Sequence, residues 1–102
     1  MDNEQTMAHK TLEKKIIIKN KQGLHARPAA IFVQIANKFD SDISVIKDGE
    51  EINGKSIMGI LMLGAEEGAC IHLKVTGSDA QEAITELESI LLKKEQDFMD
   101  SK

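Results

Sequence analysis

The sequence predicts an α+β fold in which helices cover one face of a mostly antiparallel sheet. Three observations carry this reading. Segments with the two-residue period of strands alternate with segments of helical period, in the order β-α-β-β-α-β-α. Asp48-Gly49 is a tight-turn signal between two short runs, so the middle strands form a hairpin. The 102 residues suffice for one modest core and contain no internal repeat or low-complexity segment.

Each element has its own signal. Leu12 to Lys19 is a β-branched run closed by Asn20 to Gly23, which reads as a strand. Ala29, Phe32, Val33 and Ala36 recur at helical spacing and mark an amphipathic helix ended by Asn37 to Asp42. Pro28 stands in its first turn, where a missing N–H costs nothing and the fixed φ suits the helix. Ile43 to Ile46 is a short strand, and Glu50 to Ile52 starts the return strand. Ser56 opens a second, short helix that stops at Gly64, and a loop follows from Ala65 to Gly68. From Cys70 to Thr76 the pattern alternates: Ile71, Leu73 and Val75 face one side, Cys70, His72 and Lys74 the other. Ser78 begins the last helix, with Gln81 completing a capping box. Its buried stripe is Ala83, Ile84, Leu87, Ile90 and Leu91. The domain is expected over residues 11–95, between flexible tails at 1–10 and 96–102.

Composition excludes several functions. A net charge of −4 lacks the basic balance of a nucleic-acid binder, and three Phe with no Trp or Tyr leave no base-stacking platform. A single cysteine, Cys70, rules out an internal disulfide and fits a reducing compartment. The N-terminal residues have no apolar signal region, and no apolar run approaches the ~20 residues of a membrane span. A cytoplasmic monomer is expected, without membrane insertion.

Chemistry concentrates in Gly23-Leu24-His25-Ala26-Arg27-Pro28-Ala29-Ala30. An imidazole and a guanidinium flank a helix start, where free backbone N–H groups and the helix dipole favour an anion by about 0.3–1 kcal/mol. Phosphate suits such a place. The same field disfavours imidazolium and so favours the neutral, nucleophilic ring. A lone histidine is ordinarily a cap or surface residue; here the Gly, Arg, Pro and small alanines around it all suit one anion-binding geometry.

This stretch resembles the active-site signature of the HPr family, the histidine-containing phosphocarriers of the bacterial phosphoenolpyruvate-dependent phosphotransferase system. Lys55-Ser56-Ile57-Met58-Gly59-Ile60-Leu61 is similar to the family's regulatory-serine segment, and the element order agrees from Leu12 to Leu92. The resemblance implies an open-faced β-sandwich: four antiparallel strands with three helices on one side. It implies that His25 accepts a phosphoryl group on Nδ1 from phosphorylated enzyme I and passes it to IIA domains of sugar permeases. Arg27 would stabilise the group in transit. Ser56 would be phosphorylated by HPr kinase/phosphorylase, with transcription regulators as further partners. On this reading the protein is a relay substrate, not an enzyme, and needs no cofactor and no metal. The longer N-terminal tail and the polar extension after Leu92 depart from the family without touching the motifs.

The residues themselves say less about Ser56, which reads simply as an N-cap. They say more about the helix it opens. Ile57, Met58, Ile60, Leu61, Met62 and Leu63 nearly encircle two turns, and a short surface helix buries only one stripe. An exposed apolar patch is therefore expected, with Ile57, Met58 and Leu61 joined by Leu24, Ala26 and Pro28 as partner-binding residues.

Two other signals are set aside. Gly49 to Ser56 satisfies the G-x-x-x-x-G-K-S pattern, but a P-loop joins a buried parallel strand to a helix, whereas Gly49 serves a hairpin and two carboxylates would face the polyphosphate. Cys70 and His72 share a strand face, but two ligands do not close a metal site. Two readings compete with a carrier in sugar uptake. One is a mainly regulatory family member, in a nitrogen-type branch or as a transcription corepressor. The other is a plain interaction module that docks through Met58 and Leu61 and has no phosphoryl chemistry.

Overall fold

A computed structural model describes residues 10–94 of the chain. Seven elements follow one another: β1 (Thr11–Ile17), α1 (Ala26–Ala36), β2 (Asp42–Lys47), β3 (Glu50–Asn53), α2 (Ile57–Met62), β4 (Cys70–Thr76) and α3 (Ala80–Leu92). The strands form one sheet in the order β1-β4-β2-β3, antiparallel throughout, with the three helices against one face.

The register explains the two faces. Opposite Ile71 lies Ile16, opposite Leu73 lies Val45, and opposite Val75 lie Leu12 and Ile43. These side chains point toward the helices, and Ile71, Leu73 and Val75 are fully buried. Cys70, His72 and Lys74 alternate onto the open face. There His72 Nε2 lies 2.7 Å from Glu13 Oε1, so a side-chain hydrogen bond spans β4 and β1 on the open sheet surface. Phe32 of α1 and the stripe Ala83, Ile84, Leu87, Ile90 and Leu91 of α3 fill the space above the sheet.

The hairpin forms as the sequence predicts. Lys47 pairs with Glu50, and the two residues between them, Asp48 and Gly49, both have positive φ (53° and 82°). That twist matches the twist of the flanking strands. Gly49 is thereby committed to the hairpin and Glu50–Asn53 to a strand, so the P-loop pattern has no P-loop structure.

One element starts differently from expectation. The capping box at Ser78 and Gln81 does not form. The N-cap of α3 is Asp79, and its carboxylate makes no cap bond. It reaches across the chain to the amides of Asp40 (2.9 Å) and Ser41 (3.0 Å) and to the Ser41 hydroxyl. The Gln81 side-chain amide instead donates forward to Thr85 Oγ1 at 3.2 Å. The cause is close packing: a Cβ on Gly77 would lie 2.4 Å from Ser41 Oγ, so the loop before α3 is pressed onto the junction of α1 and β2.

The expected tails lie outside the described residues except for Lys10, whose carbonyl accepts the Gly77 amide at 2.9 Å. Among the described residues no helix is long and apolar enough to cross a membrane.

Candidate phosphoryl-accepting site

The site is assembled by the turn between β1 and α1. Asn20 Oδ1 accepts the Gln22 amide and the Asn20 carbonyl accepts the Gly23 amide, both at 2.9 Å. Gly23 then adopts φ 71°, and a Cβ there would lie 2.3 Å from the Ala65 carbonyl oxygen. Only glycine combines that conformation with that approach. The Leu24 amide donates to the same Ala65 carbonyl at 2.9 Å, which fixes the turn on the loop between α2 and β4.

His25 comes next, in extended conformation, as the N-cap of α1. Its amide donates to the Gly23 carbonyl, and its carbonyl accepts the Ala29 amide, each at 3.0 Å. The imidazole makes no cap bond to the helix and is half-buried. Among the described residues the Ala26 and Arg27 amides have no acceptor, and Pro28 has no N–H. The first turn carries no acidic residue, and Arg27 is exposed. Two backbone donors and the positive end of an eleven-residue helix thus lie at the start of α1, with Arg27 exposed in its first turn. This arrangement can receive a phosphoryl group and stabilise its oxygens.

Ser56 is the N-cap of α2. Its Oγ accepts the Gly59 amide at 3.0 Å, and its carbonyl accepts the Ile60 amide at 3.0 Å. Lys55, the residue before it, is tied to the far end of α1. The Lys55 ammonium donates to the Phe39 carbonyl at 2.7 Å, and the Asn37 side-chain amide donates to the Lys55 carbonyl at 3.3 Å. The helix carrying His25 at one end is therefore joined at the other to the entrance of the helix that Ser56 caps.

The apolar residues divide. Ile60 and Leu63 are buried, whereas Met58 is 63% exposed and Met62 72%, with Ile57 and Leu61 more than a third exposed. Ala26 is exposed as well. Leu24 and Pro28 correct the expectation of partner contact: Leu24 is 7% exposed and Pro28 is buried. The bond from the Leu24 amide to Ala65 holds that residue in the core. Met62, which the sequence does not distinguish from its apolar neighbours, is the most exposed large apolar residue described. The sequence marks Asn20 only as a strand boundary. The N-x-x-G spacing of an Asx-type turn was its available signal, but nothing in the sequence indicates its burial. His72 is engaged with Glu13, and among the described residues no group of three or more His, Cys, Asp and Glu side chains is placed to hold a metal ion.

The chain resembles known proteins in sequence and in fold. The family model described as the PTS HPr component phosphorylation site matches residues 12–93. The HPr-like protein Crh of Halalkalibacterium halodurans is 48% identical over 82 residues, covering 80% of this chain and 98% of that protein. The phosphocarrier protein HPr of Neisseria meningitidis is 44% identical over 80 residues, covering 78% and 90%. The crystal structure of HPr from Bacillus anthracis superposes with a TM-score of 0.77 at 46% identity, covering 79% of this chain and 96% of that one. Crh from Bacillus subtilis, whose structure is described as a dimer with a swapping domain, gives a TM-score of 0.64 at 44% identity, covering 78% and 92%. A matching fold, a family model spanning nearly every described residue and relatives aligned over most of their length have one meaning: the chain belongs to the HPr family of phosphotransferase-system phosphocarriers.

Proposed function

We propose that the chain is a cytoplasmic, monomeric phosphoryl carrier that takes a phosphoryl group from phosphorylated enzyme I onto His25 and gives it to IIA domains in sugar uptake. The position of His25 carries the reading: its ring stands at the N-cap of α1, beside two first-turn amides that have no acceptor among the described residues.

The chemistry is a direct exchange. The Nδ1 lone pair of neutral His25 attacks phosphorus. As that bond forms, the bond to the donor breaks and its electron pair returns to the donor. Delivery to the acceptor is the same step reversed, with the electron pair returning to Nδ1. The Ala26 and Arg27 amides and the Arg27 guanidinium stabilise the oxygens while charge is redistributed. The carrier does not turn over a small molecule; it is consumed and regenerated.

Ser56 supplies regulation on this reading. A phosphate there adds about −1.5 to −2 charge to a surface formed by Met58, Leu61 and Met62. It repels acidic partners and attracts basic ones. Similarity to Crh favours a second reading, in which regulation through Ser56 predominates. His25 favours retained carrier chemistry within it.

Labelled phosphoenolpyruvate and enzyme I separate these readings. The carrier acquires an acid-labile label that His25→Ala abolishes. An unlabelled wild-type chain would reduce it to an interaction module. HPr kinase with ATP labels Ser56, and a Ser56→Ala chain labelled as well as wild type would remove the regulatory assignment.

A further inference from the structure

We infer that Asn20 is a positioning residue for phosphoryl exchange at His25, and that it is a carboxamide because this position must accept a hydrogen bond without bearing charge; the inference rests on the phosphocarrier reading. Asn20 and Ser41 are the buried polar residues of the described fold. Ser41 is committed to Asp79. Asn20, 3% exposed, belongs to the turn that leads into His25.

A run of hydrogen bonds connects the two. Asn20 Oδ1 holds the Gln22 amide, the Asn20 carbonyl holds the Gly23 amide, and the Gly23 carbonyl holds the His25 amide. The backbone of the reacting residue is thus anchored through Gly23 to Asn20. The other half of the carboxamide is unmatched: Nδ2 is buried with no hydrogen-bond partner among the described residues. A buried donor without an acceptor destabilises a fold. A role in holding the turn alone therefore argues against asparagine.

Aspartate would serve that role better. It would accept the Gln22 amide through a stronger, charge-assisted bond and present no orphan donor. It would also place a negative charge, withdrawn from water, in the turn that supports the receiving ring. Like charges repel strongly where solvent does not screen them, and the arriving group is itself anionic. The unmatched Nδ2 is the cost of keeping the turn neutral.

The test is Asn20→Asp in the full chain. Thermal unfolding reports whether the turn survives. Enzyme I with labelled phosphoenolpyruvate at a fixed ratio to pyruvate reports the equilibrium level of phospho-His25. The variant is expected to fold and to show phosphorylated-to-free carrier lowered about tenfold, the scale of one pKa unit of charge coupling. A folded variant labelled to the wild-type equilibrium overturns the inference. If Asn20→Asp does not fold, Asn20→Ala carries the test, because it removes the acceptor for the Gln22 amide without adding charge. It is expected to slow labelling and leave the equilibrium level in place; labelling at the wild-type rate overturns the positioning role. Label that persists in His25→Ala, or is absent from wild type, is instead a failure of the phosphocarrier reading.

Discussion

The Asp79 carboxylate accepts the hydroxyl of Ser41, a residue buried immediately before β2 and 38 positions away in sequence. The same carboxylate takes the amides of Asp40 and Ser41. This junction joins the start of α3 to the connection between α1 and β2.

The bond to the Ser41 hydroxyl, followed by that to the Asp40 amide, holds the Asp79 carboxyl below its ordinary value of 3.8. A carboxylate favoured in the folded chain contributes stability above the unfolded value, and that contribution is lost as pH falls through the lower folded value. Asp79→Asn is therefore less stable than wild type at neutral pH, and the gap closes as pH falls below that of an ordinary carboxyl. Urea melts of both chains at pH 7 and at pH 3 check this; a gap unchanged between the two would refute it.

Gly23→Ala places a side chain in left-handed backbone and against the Ala65 carbonyl. The backbone alone costs about 1–2 kcal/mol, and the clash adds to it. Urea denaturation measures the loss. The labelling rate at His25 falls with it, because the residue that displaces Ala65 also sets the entry to α1.

Met58→Glu and Leu61→Glu replace apolar groups on the exposed side of α2. Stability is expected to stay within about 0.5 kcal/mol of wild type for such surface changes. The concentration needed for half-maximal labelling by enzyme I rises. Unchanged labelling kinetics would remove this surface from the docking site.

Ser56→Ala loses the bond to the Gly59 amide. About 1 kcal/mol of stability goes with an N-cap of this kind. Chemical denaturation detects it in a chain whose His25 still takes up label from phosphoenolpyruvate.

Local chemistry made much of this molecule legible in its sequence. The alternation of Ile71, Leu73 and Val75 named the buried face of β4, and Asp48-Gly49 named the hairpin. Gly23 to Pro28 marked the entrance to α1, and Ser56 the cap of α2. What the sequence concealed is set by contacts between distant residues. Ser78 and Gln81 have the right spacing for a capping box, but Gly77 packs on Ser41 and Asp79 is drawn to the same junction. Leu24 looks like a surface neighbour of His25 until its amide is seen to bond to Ala65. Asn20 reads as loop punctuation, and its burial follows only from how that loop is covered.

Pro28 has a consequence for timing. A helix entrance with an ordinary third residue would present one more amide and grip an incoming anion harder. With that amide deleted, the entrance has one donor fewer for an anion, so its hold on a free phosphate is expected to be weaker. On the phosphocarrier reading, the proline in the opening turn thereby favours brief holding of the transferred group over retention.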